Sequence, residues 1–154
     1  MIRLSGRGKS LLKLYEALRL TAYLDGGGVP TIGWGHTRGV KLGQTITLER
    51  AELFFLEDTY DSELCINRVV HKPISQDQFD ALVSLTFNIG VAAFTKSTLL
   101  RKLNAGDIIG AGNQFGCWVF DNGKVVQGLI NRRKFEKTLF LHAEDNMGTL
   151  ISSS

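Results

Sequence analysis

Glu16-Ala17-Leu18-Arg19-Leu20-Thr21-Ala22-Tyr23-Leu24-Asp25-Gly26-Gly27-Gly28-Val29-Pro30-Thr31-Ile32-Gly33-Trp34-Gly35-His36-Thr37 is the stretch on which the fold turns. Thr21 to Leu24 has strand character. Three consecutive glycines after Asp25 cannot continue a regular element cheaply, so the chain turns there. Val29 to Gly35 then reads as the return strand of a hairpin over residues 21–35, and Gly39 to Thr45 as a third strand. Upstream, Leu11, Leu12, Tyr15, Leu18 and Leu20 fall mostly at helical spacing, which predicts a helix over Ser10–Leu20. Glu16 lies one turn before its expected end.

Glu16 has apolar neighbours in Tyr15, Ala17 and Leu18, a setting that favours the protonated form of a carboxyl group. Asp25 sits in a glycine turn open to water. Two carboxyl groups in unlike surroundings suit acid-assisted cleavage of a glycosidic bond. One protonates the leaving oxygen; the other stays ionised and helps to hold the attacking water. Thr31 follows Asp25 on the returning strand, where its hydroxyl can help to position that water. Spacing alone decides nothing, since most proteins carry such a carboxylate pair on their surface. Gly33 and Gly35 add to it: glycines at alternate strand positions weaken a strand unless another group must come close.

Further along, Thr47 is a good N-cap for a long helix to about Val70, with Leu53, Leu56, Tyr60 and Leu64 expected on its inner face. Ser75-Gln76-Asp77-Gln78 is a capping box. The helix after it, to about Ile89, is apolar on most sides, as a bundle centre is. Gly90 is its stop. A short helix follows over Ser97–Asn104, then one capped by Asp107 to about Cys117, a turn at 121–124, and a last helix over Val126–Ala143. The reading is α+β: a small β-rich N-terminal lobe (about 21–45) on a mostly helical lobe, with a cleft between them. Residues 1–146 read as one domain and 147–154 as a flexible tail.

The whole chain has 154 residues, 44% hydrophobic and 21% charged, which excludes a membrane-embedded or disordered protein. Its net charge of +3 names no partner. Basic residues are split between 3–9 and 132–137 without a known nucleic-acid motif, so nucleic acid is not expected. Cys65 and Cys117 sit in apolar helical patterns and read as two buried free thiols. No His, Cys or Glu cluster has metal spacing, and no cofactor is expected. Leu11–Leu14 is broken by Lys13, so neither a signal peptide nor a membrane anchor is expected.

The opening stretch closely resembles the signature of the bacteriophage-type lysozymes, glycoside hydrolase family 24. Glu16, Arg19, Leu20, Ala22, Tyr23, Asp25, Gly28, Thr31, Ile32, Gly33, Gly35 and His36 fall in register with it. Phe79 to Leu82, Phe87 to Gly90, Phe94 to Asn104, Trp118 and Gly128 to Arg133 look like later landmarks, so the resemblance covers about residues 10–142. It implies a lysozyme-like fold, with Glu16 as general acid and Asp25 and Thr31 on the water side. It also implies hydrolysis of the β-1,4 bond between N-acetylmuramic acid and N-acetylglucosamine with inversion, the carboxyl groups roughly 6.5–9.5 Å apart. Trp34, Phe87 and Ser97 are the expected substrate-binding residues. His36 is expected to support the hairpin lobe, and an arginine, Arg132 in preference to Arg133, to reach Glu16. One position departs from the pattern: Ala17 stands where the family has glycine, and alanine favours helix there.

The resemblance further implies a monomeric endolysin, made in the host cytoplasm and reaching the periplasmic cell wall through a holin-type membrane partner. A binding relative without activity would have lost one of the three site residues, and a lytic transglycosylase would not need Asp25 or Thr31.

Overall fold

The computed structural model describes residues 1–142. Its last element carries the bounds Gln127–Ser153, and the expected tail at 147–154 lies outside the described residues. The first helix, α1 (Gly6–Glu16), is capped by the Ser5 hydroxyl, which accepts from the Gly8 N–H. The segment ahead of it, residues 1–5, is held by side chains of distant helices. Asn67 bonds both Ile2 backbone groups, Glu63 accepts from the Leu4 N–H, and Asp80 accepts from the Ser5 N–H.

Helix α1 ends at Glu16, short of the expected Leu20. At Ala17 the backbone swings to φ 49°, ψ 141°, while its N–H still closes the last turn onto the Lys13 carbonyl. The residues beyond are drawn into sheet pairing. Strand β1 (Arg19–Leu24) runs antiparallel to β2 (Pro30–Gly33), with Tyr23 opposite Thr31 and an irregularity between Arg19 and Tyr23. The expected third strand over 39–45 is reduced to a single bridge between Thr21 and Thr45. Glycines at 39 and 43 with positive φ turn the chain instead, and only Gln44 and Ile46 bond back to β1.

Helix α2 (Leu48–Val69) starts at its expected cap, Thr47. Its buried face, however, is not the expected one. Leu53 is 51% exposed, and Leu56, Tyr60 and Leu64 are exposed with it, while Ala51, Phe55, Thr59, Ser62, Glu63, Cys65 and Ile66 face inward. Glu63 is drawn in by Arg3 and Leu4, and Phe55 by Trp34 and Phe87. These partners rotate the helix by about one position from the face its leucines mark.

Helix α3 (Gln76–Ile89) has its capping box, Ser75 with Gln78, and stops at Gly90. Every residue from Gln78 to Thr86 is buried, so α3 is the axis of the helical lobe, with α1, α2, α4 (Val91–Thr95) and α7 (Gln127–Ser153) packed around it. The core is built on Leu12, Phe55, Phe79, Leu82, Leu85, Phe94, Leu99, Phe115 and Phe140. Each such side chain contributes roughly 1.5–3 kcal/mol on burial. Helices α5 (Thr98–Asn104) and α6 (Ile108–Asn113) and a 3₁₀ turn (Gln114–Cys117) lead to a second small hairpin, β3 (Phe120–Asp121) and β4 (Lys124–Val125). Cys65 is buried as expected. Cys117 is exposed, because the segment leaves the helical path before reaching it, and both thiols are free. Among the described residues no helix is long and apolar enough to cross a membrane.

Candidate active site

The end of α1 delivers Glu16 to the junction of the two lobes. One carboxylate oxygen, Oε1, accepts from Arg132 Nη1 at 2.7 Å. The other lies against Gly35, where an added Cβ would stand 2.7 Å from Oε2. Gly35 also has φ 77°, a conformation costly for any side chain. The missing side chain at Gly35 is what lets the hairpin backbone close on Glu16. That is the close approach implied by glycines at alternate strand positions.

Arg132 belongs to a linked group of four charges, of which Arg132, Arg133 and Glu136 are buried and Glu16 is half-buried. Its Nε reaches Glu136 Oε2 at 3.3 Å, its Nη2 donates to the Ser84 carbonyl at 3.1 Å, and its guanidinium lies over the Tyr15 ring. Arg133, 1% exposed, donates to Glu136, to Asn88 and to the Trp118 carbonyl. Glu136 lies between Arg132 and Arg133 and shares a carboxylate oxygen with each, which makes the burial of the two guanidinium groups tolerable. Removal from water lowers the proton affinity of Arg133, with Glu136 opposing; burial also raises the Tyr15 phenol above its ordinary range. The Glu16 carboxyl is therefore held from both ends of the chain, by α1 and by α7.

Asp25 occupies the turn between β1 and β2. Its Oδ1 accepts from the backbone N–H groups of Gly27 (2.9 Å) and Val29 (2.8 Å). Among the described residues Oδ2 has no partner. Thr31 is buried on β2, and its hydroxyl donates to the Val29 carbonyl at 2.9 Å, which leaves its lone pairs to accept. Asp25, Gly26 and Gly27 line one wall of a cleft of about 750 Å³. Asn88, Ile89, Cys117, Trp118, Phe120, Asp121, Val126 and Leu129 line the rest of it. A smaller pocket of about 290 Å³ lies on the other side of the α3 end, between Gly35, Thr37, Arg38, Asp58, Ser62, Thr86 and Phe87. The buried hydroxyl of Thr86, which lines it, has no hydrogen-bond partner among the described residues.

The phage lysozyme family model matches residues 13–136. The chain belongs to that family. It is 46% identical over 143 residues to an endolysin of Acyrthosiphon pisum secondary endosymbiont phage 1, covering 90% of this chain and 98% of that one. An endolysin of Salmonella phage P22 is 42% identical over 146 residues, covering 92% and 99%. Among solved structures, the muramidase domain of SpmX from Asticaccaulis excentricus superposes with a TM-score of 0.83 at 39% identity, covering 92% and 99%. The fold is the α+β lysozyme-like one.

Within this family member, the residues expected at the site divide. Glu16 and Arg132 meet, and Asp25 and Thr31 sit together on the hairpin. Phe87 lines the smaller pocket close to Gly35. His36 is buried, bonds Asp58 through Nδ1 at 2.8 Å and stacks on Phe54, so it holds the hairpin to α2. Burial raises the Asp58 carboxyl above the usual range, with His36 opposing.

Two expected substrate-binding residues are not placed for that role. Trp34 is buried edge-on against Phe55, with the Lys13 ammonium over its ring, so it packs the hairpin. Ser97 is buried, donates to the Phe94 carbonyl and accepts from the Leu100 N–H, so its hydroxyl is used as a helix cap. Glu136, Ser84 and Asn88 had no place in the sequence reading. The i,i+4 and i,i+3 spacing of Arg132 and Arg133 to Glu136 is a signal that marks Glu136; none marks Ser84 or Asn88. The departure at Ala17 also gains a physical meaning: the position has φ 49°, so alanine there does not extend a helix but bears a conformation suited to glycine.

Proposed function

We propose that this chain hydrolyses the β-1,4 bond between N-acetylmuramic acid and N-acetylglucosamine in peptidoglycan, with Glu16 as general acid. The observation that carries the reading is the clamped Glu16 carboxyl. It is fixed by Arg132 on one oxygen and set on the other against the bare backbone of Gly35, which lines the smaller pocket, while Asp25 lines the larger cleft. An acid that must deliver a proton to one glycosidic oxygen needs such a fixed position. Asp25, oriented by two backbone donors, takes the water side, and the acceptor lone pairs of Thr31 help to hold the water. With a water between sugar and carboxylate, the anomeric carbon is inverted.

The endolysin and muramidase names of the relatives support the substrate class. In this reading the chain acts as a monomer on the periplasmic wall, after synthesis in the host cytoplasm and release through a holin-type partner. The test is turbidity loss of purified cell walls. The wild type should clear them and Glu16→Gln should not; equal clearing would remove Glu16 as the acid. Products that gain water, with the α-anomer formed first, support hydrolysis with inversion, whereas anhydro-sugars or a first-formed β-anomer would overturn it.

A further inference from the structure

Glu136 lines neither the large cleft nor the smaller pocket, yet each of its oxygens leads toward one of them. It is 2% exposed on α7. Its Oε2 accepts from Arg132 Nε at 3.3 Å and from the Ser84 hydroxyl. Arg132 carries on through Nη1 to Glu16, whose other oxygen faces Gly35 in the smaller pocket. Oε1 of Glu136 accepts from Arg133 Nη1. Arg133 carries on through Nη2 to the Asn88 amide oxygen and through Nε to the Trp118 carbonyl at 2.9 Å. Asn88 and Trp118 both line the large cleft. A guanidinium only donates, so Arg133 fixes which end of the Asn88 amide it holds, and the N–H groups are left for the cleft.

Arg132 has no slack. Its Nε, Nη1 and Nη2 are all engaged, the last by the Ser84 carbonyl at 3.1 Å, and the Tyr15 ring covers its face. Among the described residues the Glu16 carboxylate accepts from Arg132 alone, so its place follows that of the guanidinium. We propose that Glu136 is a positioning residue for the reaction: through Arg132 it sets the place of the Glu16 carboxyl, and through Arg133 it sets the cleft wall at Asn88 and Trp118. The proposal rests on the reading of Glu16 as the acid. Only a carboxylate suits the position, because both of its oxygens accept. An amide accepts at one end and would turn its N–H groups against the other guanidinium.

The test is a set of variants assayed on a soluble hexasaccharide of the peptidoglycan repeat, with rates taken per folded molecule at a temperature where circular dichroism shows each protein folded. Glu136→Gln should lower kcat on the order of 100-fold through a displaced acid. Combined with Arg132→Gln, it should be no slower than Arg132→Gln alone, because its action on the acid passes through that arginine. Effects that multiply would overturn this branch, as would a Glu136→Gln whose kcat per folded molecule is that of the wild type. Ser84→Ala keeps every charge, so it reads the same branch if Glu136→Gln folds poorly. It removes the hydroxyl shared by Glu136 and Arg132 and should lower kcat about threefold to tenfold with KM unchanged. Arg133→Lys also keeps the charge but loses the fork that holds Asn88 and Trp118 together. It should raise KM about fivefold to tenfold with kcat little changed, and an unchanged KM would overturn the wall branch. A wild type that cleaves no hexasaccharide would instead remove the acid reading, and the positioning role with it.

Discussion

Replacing Ala17 by glycine should stabilise the protein, although glycine normally weakens one. Ala17 has φ 49° and ψ 141°, follows the last residue of α1 and is exposed, so its methyl group contributes little by burial. A non-glycine residue in so sparsely populated a region costs about 1–3 kcal/mol. Glycine removes that cost but adds unfolded-state freedom worth about 0.4–1 kcal/mol. The difference is a gain of about 1 kcal/mol, or a rise in Tm of about 2–4 °C for a domain of this size. Urea unfolding at neutral pH measures it, as a higher midpoint with an unchanged slope. Cell-wall clearing should persist, because Arg132 and Gly35 set the position of Glu16. A fall of about 0.4–1 kcal/mol, the ordinary penalty of glycine, would refute the argument by showing that Ala17 is unstrained.

Gly35→Ala combines a positive φ with a Cβ 2.7 Å from Glu16 Oε2; it should fold with about 1–3 kcal/mol less stability and lose on the order of 100-fold in clearing rate through a displaced acid. Glu136→Leu leaves Arg132 and Arg133 buried with only Glu16 to balance them and should cost about 3–5 kcal/mol by denaturant unfolding. Asp58→Asn should separate from wild type with pH. The carboxyl is raised by burial, so in wild type its contribution is fully present below the unfolded value of about 3.9 and is lost as pH rises through the folded value. Unfolding midpoints of the two proteins should thus draw apart in favour of the variant between acid and neutral pH, and parallel curves would count against the shift.

Features whose causes are local were legible in the sequence. The capping box at Ser75 and Gln78, the caps at Thr47 and Asp107 and the turn at Asp25–Gly28 depend on residues within one turn of each other. Glu16, Asp25 and Thr31, the proposed acid and its proposed partners, were legible because the motif around them is continuous, and the contact of Arg132 with Glu16 was expected from the resemblance over Gly128 to Arg133. The inner face of α2 was not. Its leucines mark one stripe, but Glu63 answers to Leu4 and Arg3, about 60 positions away. The end of α1 was hidden too, because alanine is the strongest helix former and nothing near Ala17 announces a break. Trp34 and Ser97 illustrate a further limit. An aromatic ring and a hydroxyl suit a sugar site by type, yet packing against Phe55 and capping of α5 are equally good uses for them. The exposed ring the cleft does offer, Phe120, sits on a hairpin of two-residue strands too short to leave a pattern.

The bond between Glu16 and Arg132 joins positions 116 residues apart. On the ribosome Glu16, the proposed acid, therefore emerges long before its partner, by roughly 6–23 s at about 5–20 residues per second. Until α7 has been made and docked, Glu16 has no arginine. Cleaving capacity consequently arrives with the final helix rather than growing along the chain, and fragments stopped short of it are expected to be inert as catalysts.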